Sequence, residues 1–274
     1  MRLKGWLDSN SRVFMARDLR YIVKSFFPAC GLGSFYDSGF LNNDKVQCLE
    51  NIKRLYLEKI PLAYILGKEE FYGIEFKVNP SVLVPRKETE LIVEEALDII
   101  DRDNIKCVLD LCCGSANIAI SIKKVASQCR DVFACDISAA ALAVAGWNVC
   151  SHKADIKLVR SDLLSGFRSQ QFSMIVTNPP YVESKAIDSS LRHEPRVALD
   201  GGVDGLDIIK KVLLQAPFYL KKDGYLVMEI GYNQKEAVNS LIERFAWYKI
   251  VKWIKDYDNN WRGIILKKTI DYRP

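Results

Sequence analysis

Several features that would assign a function at once are missing from these 274 residues. The longest nearly apolar run, residues 139–147, is too short to span a bilayer, and the chain start lacks the apolar core of a signal peptide. No C-x-x-C pair occurs, and neither His152 nor His193, the only histidines, lies near a cysteine cluster. We therefore expect a soluble, cytoplasmic protein that has no membrane contact and binds no metal.

The excess of positive over negative charge is also small. The 39 basic and 34 acidic residues leave a net charge of +5, and the basic residues occur as scattered doublets without a long run. Solvated surface explains such doublets most simply, although they permit an acidic or RNA-associated partner. The composition by itself therefore indicates no nucleic-acid partner.

Six of the eight cysteines fall in one predicted core region, and two of them are adjacent. They are Cys107, Cys112, Cys113, Cys129, Cys135 and Cys150. Because metal-ligand spacing is absent, we interpret them as small buried thiols in a reducing compartment.

The chain divides into three predicted parts: a helical domain at 1–66, a linker hairpin at 67–86 and a larger domain at 87–274. Helical patterns at 13–27 and 44–60 flank the breaker Gly31-Leu32-Gly33-Ser34. Residues 70–78 alternate around Gly73, which favours a short hairpin.

Short apolar runs alternate with helical patterns in the larger predicted domain. The runs cover 107–111, 132–135, 156–159, 174–177 and 225–230. The helical patterns cover 87–101, 115–125, 138–150, 204–220 and 234–245. This alternation predicts an α/β fold with a parallel sheet covered by helices, and residues 248–254 and 261–266 add a closing antiparallel pair.

Acidic residues follow three of these predicted strands. Asp110 precedes the small-residue loop 112–116, Asp136 ends the second strand, and Asp162 follows the third. The carboxyl ends of parallel strands meet at one edge, so a nucleoside would fit there with its ribose diol at Asp136. The predicted cofactor-binding residues are Asp110, Cys112, Cys113, Gly114, Ser115, Ala116, Asp136, Ile137, Asp162, Leu163 and Asn178. The loop lacks G-x-G-x-x-G, which argues against a dinucleotide.

The most informative segment is Asn178-Pro179-Pro180-Tyr181, directly after the apolar run 174–177. Proline has no backbone N–H, so this turn presents carbonyl acceptors and few competing donors. A carboxamide beside such carbonyls suits the two hydrogens of a planar NH2 group. Together with the nucleoside edge, the turn predicts methylation of an amide or amine nitrogen.

Several further motifs occur along the chain, besides residues 110–116, Asp136 and Asn178-Pro179-Pro180-Tyr181. They are Pro61-Leu62-Ala63-Tyr64-Ile65-Leu66-Gly67, Glu70-Phe71-Tyr72-Gly73, Val84-Pro85-Arg86-Lys87-Glu88-Thr89-Glu90, Glu194-Pro195-Arg196-Val197-Ala198-Leu199, Gly201-Gly202-Val203-Asp204-Gly205-Leu206 and Glu229-Ile230-Gly231. With these motifs the chain resembles, over essentially its whole length, the release factor glutamine methyltransferases, which are class I S-adenosylmethionine-dependent enzymes. The resemblance implies a Rossmann-like methyltransferase sheet at 87–274.

The resemblance also implies the reaction. S-adenosylmethionine would donate a methyl group to the side-chain amide nitrogen (N5) of the Gly-Gly-Gln glutamine in peptide chain release factors, which modulates translation termination. The N-terminal helical domain would recognise the release factor, and the enzyme would be a monomer without stable nucleic-acid binding.

Site residues follow from the same resemblance. The catalytic residues would be Asn178, Pro179, Pro180 and Tyr181, and these four would contact the substrate together with Arg86 and Glu194. The side-chain oxygen of Asn178 and the carbonyl of Pro179 would accept from the substrate NH2, while Tyr181 would stack on it or exclude solvent. Thr89 would lie beside the cofactor or be an ordinary early helix residue. Glu229 would line the site or be structural.

Two loop positions depart from the family pattern, because Cys112 and Ala116 stand where glycines are usual. If either position needs a positive φ, its Cβ costs about 1–2 kcal/mol. We therefore expect somewhat weaker cofactor binding or a slightly shifted backbone.

Two other functions remain open. An adenine-N6 methyltransferase shares the Asn-Pro-Pro-Tyr turn, but on duplex DNA it would flip its base and would need a basic groove. The helical start, with its small basic excess, is a poor candidate for one. A non-catalytic binding module is the second alternative, which Cys112 and Ala116 favour and the intact Asn178–Tyr181 turn opposes.

Overall fold

The computed structural model describes residues 3–26, 41–188 and 191–270, with the side chains of residues 4 and 26 left aside. The chain forms two compact units, Met1–Lys68 and Glu69–Pro274. The breaker expected at residues 31–34 lies outside the described residues. No helix in the described ranges is long and apolar enough to cross a membrane.

The first unit is helical. Its helices are α1 (Leu3–Asn10), α2 (Ala16–Phe26), α3 (Asn43–Leu57) and α4 (Leu62–Leu66). They enclose a small core that includes Trp6, Phe14, Ile22 and Leu49. The predicted helix at 13–27 begins three residues late, at Ala16, because residues 11–14 form a turn and a bend. The side chain of Asn42 caps α3 by accepting from the N–H of Lys45 over 3.0 Å.

A two-stranded sheet of β1 (Lys68–Phe71) and β2 (Ile74–Lys77) follows, as the alternation around Gly73 predicts. Tyr72 and Gly73 make the turn with φ values of 52° and 69°. Such positive values suit a two-residue hairpin turn.

The second unit contains a seven-stranded sheet in the order β5-β4-β3-β6-β7-β9-β8. Its strands are β3 (Cys107–Leu111), β4 (Asp131–Asp136), β5 (Lys157–Arg160), β6 (Phe172–Thr177), β7 (Leu220–Glu229), β8 (Tyr248–Lys255) and β9 (Trp261–Lys268). Strands β3 to β7 pair in parallel, and β9 runs antiparallel to β7 and β8. The predicted α/β fold with an antiparallel closing pair is confirmed.

Helices cover both faces of this sheet. They are α5 (Thr89–Asp103), α6 (Asn117–Val125), α7 (Ala139–Ser151), α8 (Asp207–Tyr219) and α9 (Lys235–Ile242). Short 3₁₀ turns occur at Ser184–Ala186 and Arg196–Ala198. Along β3, Val108 joins the core under α5 and α6, whereas Leu109 and Leu111 join the core under α8 and α9. Apart from Asp110 this strand is apolar, because both of its faces are buried.

The strand order creates a crevice between β3 and β6. The chain proceeds from β3 to β4 and β5 on one side, and then returns to β6 and β7 on the other. At such a switch point the loops that leave neighbouring strands diverge, and ligands of open α/β sheets bind there.

Some boundaries differ from those that the sequence predicts. Helix α6 starts at Asn117 instead of 115, because the preceding loop continues to Ala116, whose φ is 61°. Strand β7 starts at Leu220, five residues early, and its first exposed residues resemble a loop in sequence. Cys150, expected to be a buried thiol, is exposed at the end of α7.

Candidate active site

A pocket opens at the carboxyl ends of the parallel strands, over the crevice between β3 and β6. It encloses about 1050 Å³ of space, part of it open to solvent, which is enough for a nucleoside-sized ligand. Of the predicted site residues, those that line it are Arg86, Cys112, Cys113, Gly114, Ser115, Asp136, Ile137, Asp162, Leu163, Asn178 and Pro180. Those that lie outside this lining are Asp110, Ala116, Pro179, Tyr181 and Glu194.

One wall comes from a segment that the sequence analysis assigns to the linker. Ser81, Val82, Leu83 and Pro85 line the pocket together with Arg86. The hairpin itself ends at Lys77, so the residues after it belong to the pocket wall.

The loop after β3 adopts an alternating left-handed conformation. Cys112, Gly114 and Ala116 have φ values of 63°, 51° and 61°. The two positions where the family usually has glycine therefore do need a positive φ here. A Cβ built on Gly114 meets no atom within 4 Å, so the backbone at Gly114 faces open space in which a ligand can approach closely.

Asp136 is fixed by this loop. Its Oδ2 accepts from the N–H of Gly114 and its Oδ1 from the N–H of Ser138, each over 2.9 Å. Burial raises the pKa of Asp136, and these N–H donors oppose that rise. Each carboxylate oxygen keeps a further lone pair for a ligand hydroxyl. Asp162 lines the pocket from an exposed position after β5.

Asp110 is buried beside the start of α6. The side chain is 1% exposed, and its Oδ2 accepts from the N–H of Ala119 in the first turn of α6 over 3.0 Å. Burial raises the pKa of Asp110 to about 8. Asp110 therefore holds the first turn of α6, and it does not form part of the pocket wall.

The Asn178–Tyr181 corner is held by a buried carboxylate. The Nδ2 of Asn178 donates to Oγ1 of Thr89 over 3.1 Å, and Oγ1 of Thr89 donates to Oε2 of Glu229 over 2.7 Å. The hydroxyl of Tyr181 donates to the other oxygen, Oε1, over 3.0 Å. Burial raises the pKa of Glu229 to about 7, against these two hydrogen bonds. Burial likewise raises the pKa of Tyr181, which keeps its phenol a donor.

A second support comes from Gln234, which the sequence analysis missed. Its Nε2 donates to the carbonyl of Tyr181 over 2.9 Å and to that of Gly205 over 3.2 Å, while its Oε1 accepts from the N–H of Gly231 over 2.8 Å. A Cβ on Gly201 would approach Cα of Tyr181 to 2.8 Å. The glycine-rich segment after β6 therefore packs directly on the back of the corner.

Arg86 and Glu194 form an ion pair at the rim. Oε2 of Glu194 also accepts from the N–H of Val84 over 3.1 Å, and the Glu194 side chain is only 4% exposed. Both carboxylate oxygens thus have protein donors. Glu194 lies behind Arg86, and only Arg86 lines the pocket.

Comparison with known proteins identifies relatives of this chain. It is 38% identical over 208 residues to the release factor glutamine methyltransferase of Geobacter sulfurreducens. This alignment covers 74% of this chain and 72% of the relative. The enzyme of the same description from Thermodesulfovibrio yellowstonii is 31% identical over 95% of both chains. The chain belongs to the release factor glutamine methyltransferase family. The predicted resemblance is confirmed.

Other relatives of the chain have a different description. The ribosomal protein uL3 glutamine methyltransferase of Xanthomonas campestris is 36% identical over 223 residues, 79% of this chain and 72% of the relative. Residues 88–195 also match the family model of the methyltransferase small domain. The chain is therefore a glutamine methyltransferase by relationship.

A solved structure shares the fold of this methyltransferase. A methyltransferase from Pyrococcus furiosus aligns with a TM-score of 0.54 and 19% identity, over 81% of this chain and all of that one. At this identity the likeness concerns the fold alone, and it confirms the Rossmann-like class I architecture.

Proposed function

We propose that this enzyme methylates the side-chain amide nitrogen (N5) of a glutamine in a peptide chain release factor, with S-adenosylmethionine as methyl donor. The observation that carries the proposal is the position of Asn178, which lines the pocket beside the acidic strand edge while its Nδ2 is bound to Thr89. The choice of a release factor rests on the relatives of that description.

The pocket suits an S-adenosyl nucleoside. Asp136 keeps lone pairs for ribose hydroxyls, Asp162 is available to an exocyclic amine, and Ile137 and Leu163 offer apolar contact to a base. The open backbone at Gly114 allows the amino-acid part to lie close to the loop. When bound, S-adenosylmethionine supplies an electrophilic methyl group.

The residues of the corner would orient the substrate. An amide nitrogen is a poor nucleophile because its lone pair is delocalised into the carbonyl. Oδ1 of Asn178 and the carbonyl oxygen of Pro179 would each accept one hydrogen of the substrate NH2, which fixes the amide plane. Positioning of this kind contributes several kcal/mol.

The same two oxygens would stabilise the positive charge that develops on the substrate nitrogen. The methylated nitrogen is acidic and loses its proton to water or to an adjacent acceptor, so the site needs no strong general base. Tyr181, held by Glu229, would close the corner against solvent or stack on the amide, and Pro180 forms part of the wall.

Recognition of the protein substrate would involve more than the pocket. We assign it to the helical residues 1–66, joined through residues 67–86 to the methyltransferase domain at 87–274. Arg86 at the rim would contact the substrate, and Glu194 would hold Arg86 in place.

A labelled-methyl assay with four substrates side by side tests the proposal. A release factor, ribosomal protein uL3, duplex DNA and RNA are each incubated with enzyme and radiolabelled S-adenosylmethionine. We expect label on the release factor, removed when its Gly-Gly-Gln glutamine is changed to alanine. Label on nucleic acid alone would support an adenine methyltransferase, and label on uL3 alone would move the substrate to the ribosome. Failure to bind S-adenosylmethionine would indicate a non-catalytic module.

A further inference from the structure

Three side chains from distant parts of the chain form a continuous hydrogen-bonded series behind the substrate corner. Asn178 follows β6, Thr89 begins α5, and Glu229 ends β7. The series runs from Nδ2 of Asn178 to Oγ1 of Thr89 and from there to Oε2 of Glu229. Thr89 is 2% exposed and Glu229 is 1% exposed, so solvent does not compete for these bonds.

The direction of this series is fixed when Glu229 is ionised, which is the case above its pKa of about 7. An ionised carboxylate only accepts hydrogen bonds, and a hydroxyl has one hydrogen to donate. Because Thr89 gives its hydrogen to Glu229, its oxygen can only accept from Asn178. The NH2 end of the Asn178 amide must therefore face Thr89, and the oxygen end must face away from it.

The Glu229 side chain is held in this orientation by a second contact. Its second oxygen accepts from the hydroxyl of Tyr181 over 3.0 Å, so both carboxylate oxygens have donors. In the described ranges 3–26, 41–188 and 191–270, no protein donor contacts Oδ1 of Asn178. That oxygen remains as an acceptor for a ligand in the pocket that Asn178 lines.

We propose that Thr89 and Glu229 are specificity-determining residues, which hold the Asn178 amide oxygen toward the substrate so that the site accepts a carboxamide and rejects a carboxylate. This inference rests on the proposed glutamine methylation. A glutamine side chain donates two hydrogens to the corner, whereas a glutamate would oppose the Asn178 oxygen with another acceptor. An amide free to rotate would instead offer its NH2 group to glutamate, and the discrimination would be lost. A site built to hydrogen-bond one substrate group discriminates strongly against an analogue that cannot form that hydrogen bond.

Two substitutions test the hydroxyl group of Thr89 separately from the shape of its side chain. Thr89→Val keeps the branched side chain and removes the oxygen that orients Asn178. Thr89→Ser keeps the oxygen and removes only a methyl group, and it is the matched control. Because Thr89 lines the pocket, affinity for S-adenosylhomocysteine is measured for both, with an expected change of no more than about threefold.

The readout is binding of two peptides that carry the release-factor motif and differ only in glutamine or glutamate. Their affinities are measured by calorimetry in the presence of S-adenosylhomocysteine. We expect the wild-type enzyme and Thr89→Ser to prefer the glutamine peptide, and Thr89→Val to lose about tenfold or more of that preference. The kcat for the glutamine peptide falls in parallel, while Thr89→Ser restores it.

A folded Thr89→Val enzyme with the full wild-type preference would overturn the inference and leave glutamine methylation standing. If Thr89→Val does not fold, Thr89→Ala provides the same measurement without a new branched side chain. A wild-type enzyme that neither methylates the glutamine peptide nor prefers it to the glutamate peptide would refute the proposed function and this inference with it.

Discussion

The N–H of Gly114 donates to Oδ2 of Asp136 over 2.9 Å, which ties the loop after β3 to the end of β4. The bond joins the backbone that would approach the amino-acid part of the cofactor to the carboxylate that would hold its ribose. The same loop has left-handed turns at Cys112 and Ala116. The proposed cofactor half of the site is thus held by a bond from the main chain to a carboxylate, and the proposed substrate half is held by bonds between side chains.

The left-handed loop predicts an unusual response to glycine. Ala116→Gly relieves about 1–2 kcal/mol of strain. The loss of a buried methyl, about 0.8 kcal/mol, and the entropy of glycine, about 0.5–1 kcal/mol, offset that relief. We therefore expect an unchanged free energy of unfolding, within about 1 kcal/mol, and affinity for S-adenosylmethionine at least equal to the wild type. Urea unfolding and calorimetry measure these quantities.

The matched control for that prediction is Ala145→Gly. Ala145 is buried within α7, where the helical conformation gives glycine nothing to relieve. This variant should lose about 2 kcal/mol of stability. Equal destabilisation of the two variants, or clearly weaker cofactor binding by Ala116→Gly, would show that the loop is not strained.

The buried carboxyl of Glu229 predicts a pH dependence of stability. Its pKa rises from an ordinary 4.5 to about 7 because burial outweighs the donors Thr89 and Tyr181 and the positive charge of Arg262, while the charge of Glu88 adds to the rise. Between these pH values the folded state binds more protons than the unfolded state. Stability from this group is therefore lost as pH increases through about 7.

Glu229→Gln tests this dependence because the amide does not titrate. The free energy of unfolding of the wild type should fall relative to that of Glu229→Gln as the pH is raised from 4.5 to about 7. Glu236→Gln, on the exposed surface of α9, controls for the removal of a carboxylate in general. Parallel pH curves for wild type and Glu229→Gln would mean that Glu229 does not titrate in this range.

The ion pair at the rim predicts a graded loss of stability. Glu194→Ala leaves the N–H of Val84 and the charge of Arg86 without their partner, and it should cost about 2–3 kcal/mol. Glu194→Gln keeps an acceptor for one donor and should cost about 1 kcal/mol. Denaturant unfolding measures both, and an Ala variant as stable as the Gln variant would contradict the assigned contacts.

Much of the fold could be predicted from the sequence because its signals are local. The fully buried strand β3 is an uninterrupted apolar run apart from Asp110, and the helices beside it repeat their apolar residues at helical spacing. The Asn178–Tyr181 corner is also local, since four adjacent residues carry its chemistry. These elements need no knowledge of distant contacts.

The supports of the site could not be predicted in this way, since their partners are far apart in the chain. Thr89 lies 89 residues from Asn178 and 140 from Glu229, and Gln234 lies 53 residues from Tyr181. In the sequence alone, Thr89 resembles an ordinary helix residue and Gln234 an ordinary loop residue. The left-handed conformation at Cys112 follows from the loop, because cysteine itself disfavours it.

The central claim is that the Asn178 corner receives a glutamine side chain for methylation. It is tested most directly by tandem mass spectrometry of a release factor incubated with S-adenosylmethionine and either wild-type enzyme or Asn178→Ala. Asn239→Ala, on exposed α9, serves as the control for an asparagine substitution. We expect one added methyl group on the Gly-Gly-Gln side-chain nitrogen with wild type and control. A folded, cofactor-binding Asn178→Ala should methylate at a rate reduced by at least about 10²-fold. Methylation by Asn178→Ala at the wild-type rate, or a methyl group on another atom, would contradict the account.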